Sequence, residues 1–157
     1  MGYGYTYYCK KCKKEHTVEL GNGFLYQHDL EFETNKGWWG IYGEEYKKLI
    51  TEIPYSYIET NKYLYYCQKC HHFEVNMEMS IYKINPECLS KDEKEHPIKI
   101  YEKIPKLKDS DRILVKEYVR FCPKCQTKLE KKEKLNIALE CPECGEAMEI
   151  IYDIHWD

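Results

Sequence analysis

The chain contains no apolar run approaching the roughly 20 residues of a membrane-spanning helix, so no membrane association is expected. It has no excess of basic residues either. Its 24 Lys and Arg stand against 27 Asp and Glu, for a formal net charge of −3. Proteins that bind nucleic acid mainly through phosphates usually carry a basic balance or stripe, which this chain lacks overall. Common catalytic signatures are missing too. There is no Gly-x-Ser-x-Gly, no P-loop, no His-Glu-x-x-His and no deaminase pattern of His-x-Glu followed by Pro-Cys-x-x-Cys. A non-enzyme is expected. Met1-Gly2-Tyr3 opens no basic, apolar, small-residue leader, so the expected setting is cytoplasmic and reducing.

What the chain does have is nine cysteines in 157 residues. Eight of them form four Cys-x-x-Cys hooks: Cys9/Cys12, Cys67/Cys70, Cys122/Cys125 and Cys141/Cys144. Strict pairing at this spacing favours metal ligation over a disulfide framework. Eight thiolates suffice for two tetrahedral Cys₄ sites, and two Zn²⁺ ions are the expected cofactors. Each Zn²⁺ held by four thiolates carries −2, so two such centres bring the formal charge from −3 to −7. Four matched sulfurs leave no open coordination position of the kind a catalytic zinc keeps.

Which hooks share a metal is a separate question. Fifteen residues separate Cys125 from Cys141, within the spacing of a simple two-hook zinc site. This favours Cys122, Cys125, Cys141 and Cys144 as one site and Cys9, Cys12, Cys67 and Cys70 as the other. In the alternative, Cys67/Cys70 joins Cys122/Cys125 and Cys9/Cys12 joins Cys141/Cys144, which discards the 15-residue spacing. The segment from Ile113 to Trp156, with Cys122-Pro123-Lys124-Cys125 and Cys141-Pro142-Glu143-Cys144-Gly145, resembles a zinc ribbon. That resemblance implies two β-hairpin knuckles clamping one zinc with the four cysteines of this segment. The whole chain is similar to small bacterial or phage zinc-ribbon proteins with four such knuckles. The last hook also resembles half of a rubredoxin iron site. The matching glycine is missing after Cys12, Cys70 and Cys125, which favours zinc over iron.

Between the hooks the pattern is strand-rich. Tyr3–Tyr8 and Tyr63–Tyr66 are aromatic runs leading into hooks, as expected of strands. Phe73 to Ile81 and Met148 to Trp156 alternate with period two, Ile113 to Phe121 and Leu135 to Leu139 read as strands, and Lys128 to Lys134 reads as a solvated hairpin tip. Tyr46, Leu49, Ile50 and Ile53 recur at helical spacing, placing a helix over Glu44 to Ile53. Gly37-Trp38-Trp39-Gly40 reads as a loop, and Lys91 to Pro97 as a charged linker. The expected architecture is a β-rich α+β protein with two Cys₄ zinc sites on β-hairpin knuckles. Residues 1–90 would form an N-terminal zinc module with a helical insertion, and 91–157 a C-terminal zinc ribbon.

Two surfaces are candidates for partner binding. Lys10, Lys11, Lys13 and Lys14 surround the first hook. They either contact phosphate, with tyrosines nearby to stack on bases, or offset a negative metal–thiolate centre. Trp38 and Trp39 would form an interface hot spot if exposed. The expected function is a zinc-stabilised, non-catalytic module engaging a protein partner. The alternative is nucleic-acid binding through the lysine-rich knuckle. His71 and His72 are expected beside the metal rather than on it, and Cys88 as a leftover thiol.

Overall fold

The computed structural model describes residues 2–132 and 138–156. In chain order the elements are β1 (Gly2–Cys9), β2 (Lys14–Leu20), α1 (Tyr26–Trp38), α2 (Glu44–Glu52), β3 (Ser56–Ile58), β4 (Lys62–Tyr66), β5 (Phe73–Met77), β6 (Ile81–Ile84), α3 (Lys91–Glu95), α4 (Pro97–Lys103), β7 (Arg112–Lys116), β8 (Glu130–Lys132) and β9 (Glu149–Trp156). The protein is a mixed α+β structure, and its described residues form three small antiparallel sheets, ordered β2-β1-β9, β3-β6-β7 and β5-β4-β8. No helix among the described residues is long and apolar enough to cross a membrane.

The chain divides into two compact units that interleave along the sequence. One comprises 1–23, 61–77 and 119–157, and the other 24–60 and 78–118. Neither coincides with a division into 1–90 and 91–157, because long-range strand pairing groups the segments. The first unit holds all four hooks and the sheets β2-β1-β9 and β5-β4-β8. Its core joins Tyr7, Val18, Leu20, Leu64, Leu139 and Met148 to Cys9 and Cys141, with Tyr65, Leu129, Cys67 and Cys122 forming a second cluster.

The second unit packs α1, α2 and α4 with β3-β6-β7. The helix expected over Glu44 to Ile53 is α2, with Tyr46 buried against Ile58 and Ile81. Its buried ionic centre is Glu59. That carboxylate accepts from the Tyr26 hydroxyl at 2.7 Å, from Arg112 Nη1 at 3.1 Å and from the Thr60 amide at 3.0 Å, so its charge is compensated where water is excluded.

Several local expectations need correction. Gly37 and Trp38 end α1 rather than lying in a loop. The buried side of α1 carries Glu33, Thr34 and Gly37 beside Leu30, so no apolar helical period reveals it. Gly37 is required by close packing, since a Cβ there would lie 2.7 Å from Ile58 Cδ1. The charged stretch from Lys91 is no linker. Ser90 and Glu93 form a capping box that starts α3, and Pro97 occupies the first turn of α4. The alternating run from Phe73 breaks at Met79, whose φ of 64° separates β5 from β6. There Glu78 and Ser80 turn inward, bonded to the Tyr82 hydroxyl and the Tyr118 amide. The supposed hairpin tip over Lys128 to Lys134 contributes β8, which pairs with β4, while 133–134 lie outside the described residues. The strand expected over Leu135 to Leu139 lies mostly outside them too, at 135–137. The expected strand Ile113 to Phe121 ends at Lys116 as β7.

Candidate metal centres

All four hooks fold alike. In each, the amide of the residue after the second cysteine donates to the carbonyl of the first. The bonds are Lys13 to Cys9 at 2.7 Å, His71 to Cys67 at 2.9 Å, Gln126 to Cys122 at 2.9 Å and Gly145 to Cys141 at 2.8 Å. The four donor residues share the left-handed conformation, with φ of 55°, 59°, 60° and 74°. The glycine that the sequence offers only after Cys144 is thus replaced three times by residues that adopt its backbone at some cost. Around each turn the chain closes as a short hairpin. Cys67, Cys122 and Cys141 donate their amides to His72, Thr127 and Glu146, and Cys9 pairs with Lys14 in the β1–β2 ladder.

The structure groups the hooks differently from the 15-residue spacing. Cys9, Cys12, Cys141 and Cys144 form one cluster, and Cys67, Cys70, Cys122 and Cys125 the other. Hooks close in sequence are therefore split, and the nested alternative holds. The cause is strand pairing. β9 leaves the fourth hook and pairs with β1, which enters the first. β8 leaves the third hook and pairs with β4, which enters the second. The register is the same in both. Tyr8, just before Cys9, opposes Glu149, five residues past Cys144. Tyr66, just before Cys67, opposes Glu130, five residues past Cys125. Each cluster therefore sits at the end of one equivalent three-stranded sheet.

The donor sets suit a tetrahedral metal. In each cluster the four sulfurs lie within 4.8 Å of one another. Measured separations are 3.6 Å for Cys9–Cys144, 3.9 Å for Cys12–Cys141, and 3.4 Å for Cys67–Cys125 and for Cys70–Cys122. Four thiolates at about 2.3 Å from one ion stand about 3.8 Å apart. The first cysteine of every hook is buried and the second partly so. Hydrogen bonding distinguishes the thiols. Thr127, with its hydroxyl 3.3 Å from Cys125 Sγ, lowers that thiol to about 6. The Cys12 amide, 3.4 Å from Cys9 Sγ, lowers Cys9 to about 7. A hydrogen bond with Cys144, together with burial, pushes Cys12 up to about 12. Binding a cation there requires the thiols to give up their protons.

The lysine-rich first hook faces an acidic fourth hook. Lys10 pairs with Glu149 at 2.7 Å, Lys11 with Glu146 at 3.3 Å and Lys14 with Glu143 at 2.6 Å. Lys11 also interacts with Cys144 and Cys12, and Lys14 with Cys12 and Cys141. Their charge is directed at carboxylates and thiols, while Lys13 serves as the left-handed turn residue. Trp38 and Trp39 lie exposed at the end of α1.

One group was not foreshadowed by any motif. Tyr66 donates to Glu140 at 3.2 Å and lies 2.8 Å from His71 Nδ1, and His71 also pairs with Glu140. This ties the hook after Tyr66 to the hook after Glu140, and so links the two clusters. Burial and the Glu140 carboxylate push the Tyr66 phenol up to about 12, keeping it a donor. His72 pairs with Glu74, so neither histidine belongs to a cluster. Cys88 interacts with Asp111 and lies apart from both. No known protein family, curated protein or solved structure matches this chain.

Proposed function

We propose that the protein is a non-catalytic binding module held together by two Zn²⁺ ions, one per cysteine cluster, and that it engages a protein partner. The observation that carries the reading is the pair of four-sulfur clusters, with separations of 3.4–3.9 Å near the edge of a tetrahedral zinc–thiolate centre. A bound Zn²⁺ supplies the cross-link between two hairpins. The thiolates fill all four positions, which supports a structural rather than a catalytic role. The hooks resemble zinc-ribbon knuckles in closing short hairpins, and a cysteine-rich metal module of this kind suits a reducing cytoplasm.

The pairing of Lys10, Lys11 and Lys14 with glutamates supports a protein partner over nucleic acid, because it neutralises three of the four lysines around the first hook. Trp38 and Trp39 offer the aromatic anchors such a partner uses. Elemental analysis of the purified chain tests the metal reading. Two zinc per chain in a colourless preparation is expected, whereas one metal, or a red iron-containing preparation, contradicts it. Binding to random DNA or RNA at physiological salt tests the partner reading. It is expected to be weaker than the roughly 10⁻⁴–10⁻⁶ M of non-specific binders. Submicromolar, salt-sensitive binding lost on changing Lys10, Lys11, Lys13 and Lys14 to glutamine transfers the reading to nucleic acid.

A further inference from the structure

We propose that α1 is a two-fold interface, through which the protein pairs with a second copy of itself. The inference rests on reading Trp38 and Trp39 as a protein-binding surface, and it names the partner.

Leu30, Glu33, Thr34 and Gly37 of helix α1 face inward, and the side turned to solvent carries the large apolar residues Phe32 and Trp38 beside Gln27, His28 and Asn35. Leu25, Phe32 and Trp39 recur every seven residues, which keeps them nearly in line on a helix of 3.6 residues per turn. Leu25 and Trp39 are the helix caps and retain helical backbone angles. Phe24 and Trp38 stand beside them at the two ends. Exposure is 87% for Phe24, 64% for Leu25, 50% for Phe32, 54% for Trp38 and 64% for Trp39. A solvated helix ordinarily turns such residues inward.

The size of this face fits self-association. At about 200 Å² per aromatic side chain, its four aromatic residues alone expose roughly 500 Å² per copy. Leu25, with Ile41 exposed just past the helix, carries this beyond the roughly 300–600 Å² of the largest patch on an ordinary monomer. It approaches the roughly 800 Å² each partner contributes to a standard interface.

Three pairs on the face are placed symmetrically about the midpoint between Glu31 and Phe32, where Phe32 itself mirrors Glu31. Phe24 mirrors Trp39, Leu25 mirrors Trp38, and His28 mirrors Asn35. A two-fold contact requires one patch to complement itself. When two α1 helices pack antiparallel, the Phe24–Leu25 end of one copy meets the Trp38–Trp39 end of the other, and His28 meets Asn35 across the axis. Anionic lipid fits less well. Asp29, Glu31 and Glu33 outnumber Lys36 on this helix, and basic residues normally flank an interfacial membrane helix.

Light scattering and sedimentation equilibrium of the full, metal-loaded chain test the inference. The expected mass is twice the 19.0 kDa of one chain at tens of micromolar. Phe32→Glu and Trp39→Glu are expected to give monomers with unchanged circular dichroism and metal content, since both positions are exposed. His28→Glu and Asn35→Lys are expected to weaken pairing separately. An equimolar mixture of these two variants is expected to recover dimers, because the carboxylate introduced in one copy then faces the ammonium introduced in the other. A wild-type protein monomeric throughout overturns the second-copy inference, as does a dimer indifferent to Trp39→Glu or a mixture without recovery. Sedimentation of a monomer with phosphatidylcholine vesicles, lost in Trp39→Glu, assigns the face to lipid and likewise overturns it. Metal content and the nucleic-acid assay stand apart from these outcomes, so the broader reading is judged independently.

Discussion

Replacing Gly145 by alanine isolates the cost of the left-handed turn that closes every hook. Gly145 holds φ at +74°, and an added Cβ would meet nothing closer than His71 Cδ2 at 3.9 Å, an ordinary contact. The penalty is therefore conformational, about 1–2 kcal/mol for a residue with a side chain. Hook geometry and metal binding are linked. The penalty is accordingly read as a loss of about 5–30-fold in metal affinity at the Cys9–Cys12–Cys141–Cys144 cluster. The other cluster is expected to keep its affinity. The converse change is available at Gln126, exposed at φ 60°. Glycine there relieves the left-handed strain but adds about 0.5–1 kcal/mol of unfolded-chain freedom. The expected net gain lies between zero and about 1.5 kcal/mol. Competition with a chromophoric chelator, site by site through thiol protection, measures both. Unchanged affinity in Gly145→Ala, or weaker binding in Gln126→Gly, refutes the claim that the four turns share one strained geometry.

Four further outcomes are expected. Arg112→Met removes the guanidinium that faces the Glu59 carboxylate, which is 3% exposed, and is expected to cost about 3–5 kcal/mol by denaturant titration. A loss below about 1 kcal/mol contradicts the role given to that ion pair. Ser90→Ala removes the side-chain half of the capping box and is expected to cost about 1 kcal/mol. Its thermal transition is expected to fall by a few degrees. The Ser90 amide holds the Glu93 carboxyl below its ordinary 4.5. The advantage of Glu93 over glutamine is therefore present above about that pH and lost as pH falls through the lowered value. An undiminished Glu93→Gln penalty in strong acid contradicts this. Finally, chelation is expected to unfold the hook-bearing unit, because structural metal binding supplies folding free energy on the order of 10 kcal/mol. Native circular dichroism after verified metal removal contradicts it.

What could be read from the sequence was local. The hooks announce themselves by spacing, and the aromatic runs Tyr3–Tyr8 and Tyr63–Tyr66 enter them as strands β1 and β4. Helix α2 shows its buried stripe through Tyr46, Leu49 and Ile50. The partner of each hook was not local. A 15-residue spacing permits a shared metal, but the ladders β1–β9 and β4–β8 decide it over far longer separations. Strand β8 was hidden because Lys131 and Lys132 look like a solvated tip. In the fold their ammonium groups lie over the rings of Tyr63 and Tyr66, at 4.6 and 5.9 Å. Helix α1 was hidden because its inward side is partly polar, with Thr34 accepting the Ile58 amide at 3.0 Å. The start of α3 was legible in Ser90-x-x-Glu93, but the surrounding charge suggested a linker.

The nested pairing of hooks is the central claim, and thiol footprinting of Cys141→Ser tests it most directly. The zinc-loaded variant is treated with a cysteine-alkylating reagent, and labelled positions are read by mass spectrometry. Labelling is expected at Cys9, Cys12 and Cys144, with Cys67, Cys70, Cys122 and Cys125 protected as in the unaltered protein. Labelling of Cys122 and Cys125 with Cys9 and Cys12 still protected would contradict the account and restore the pairing that the 15-residue spacing suggests.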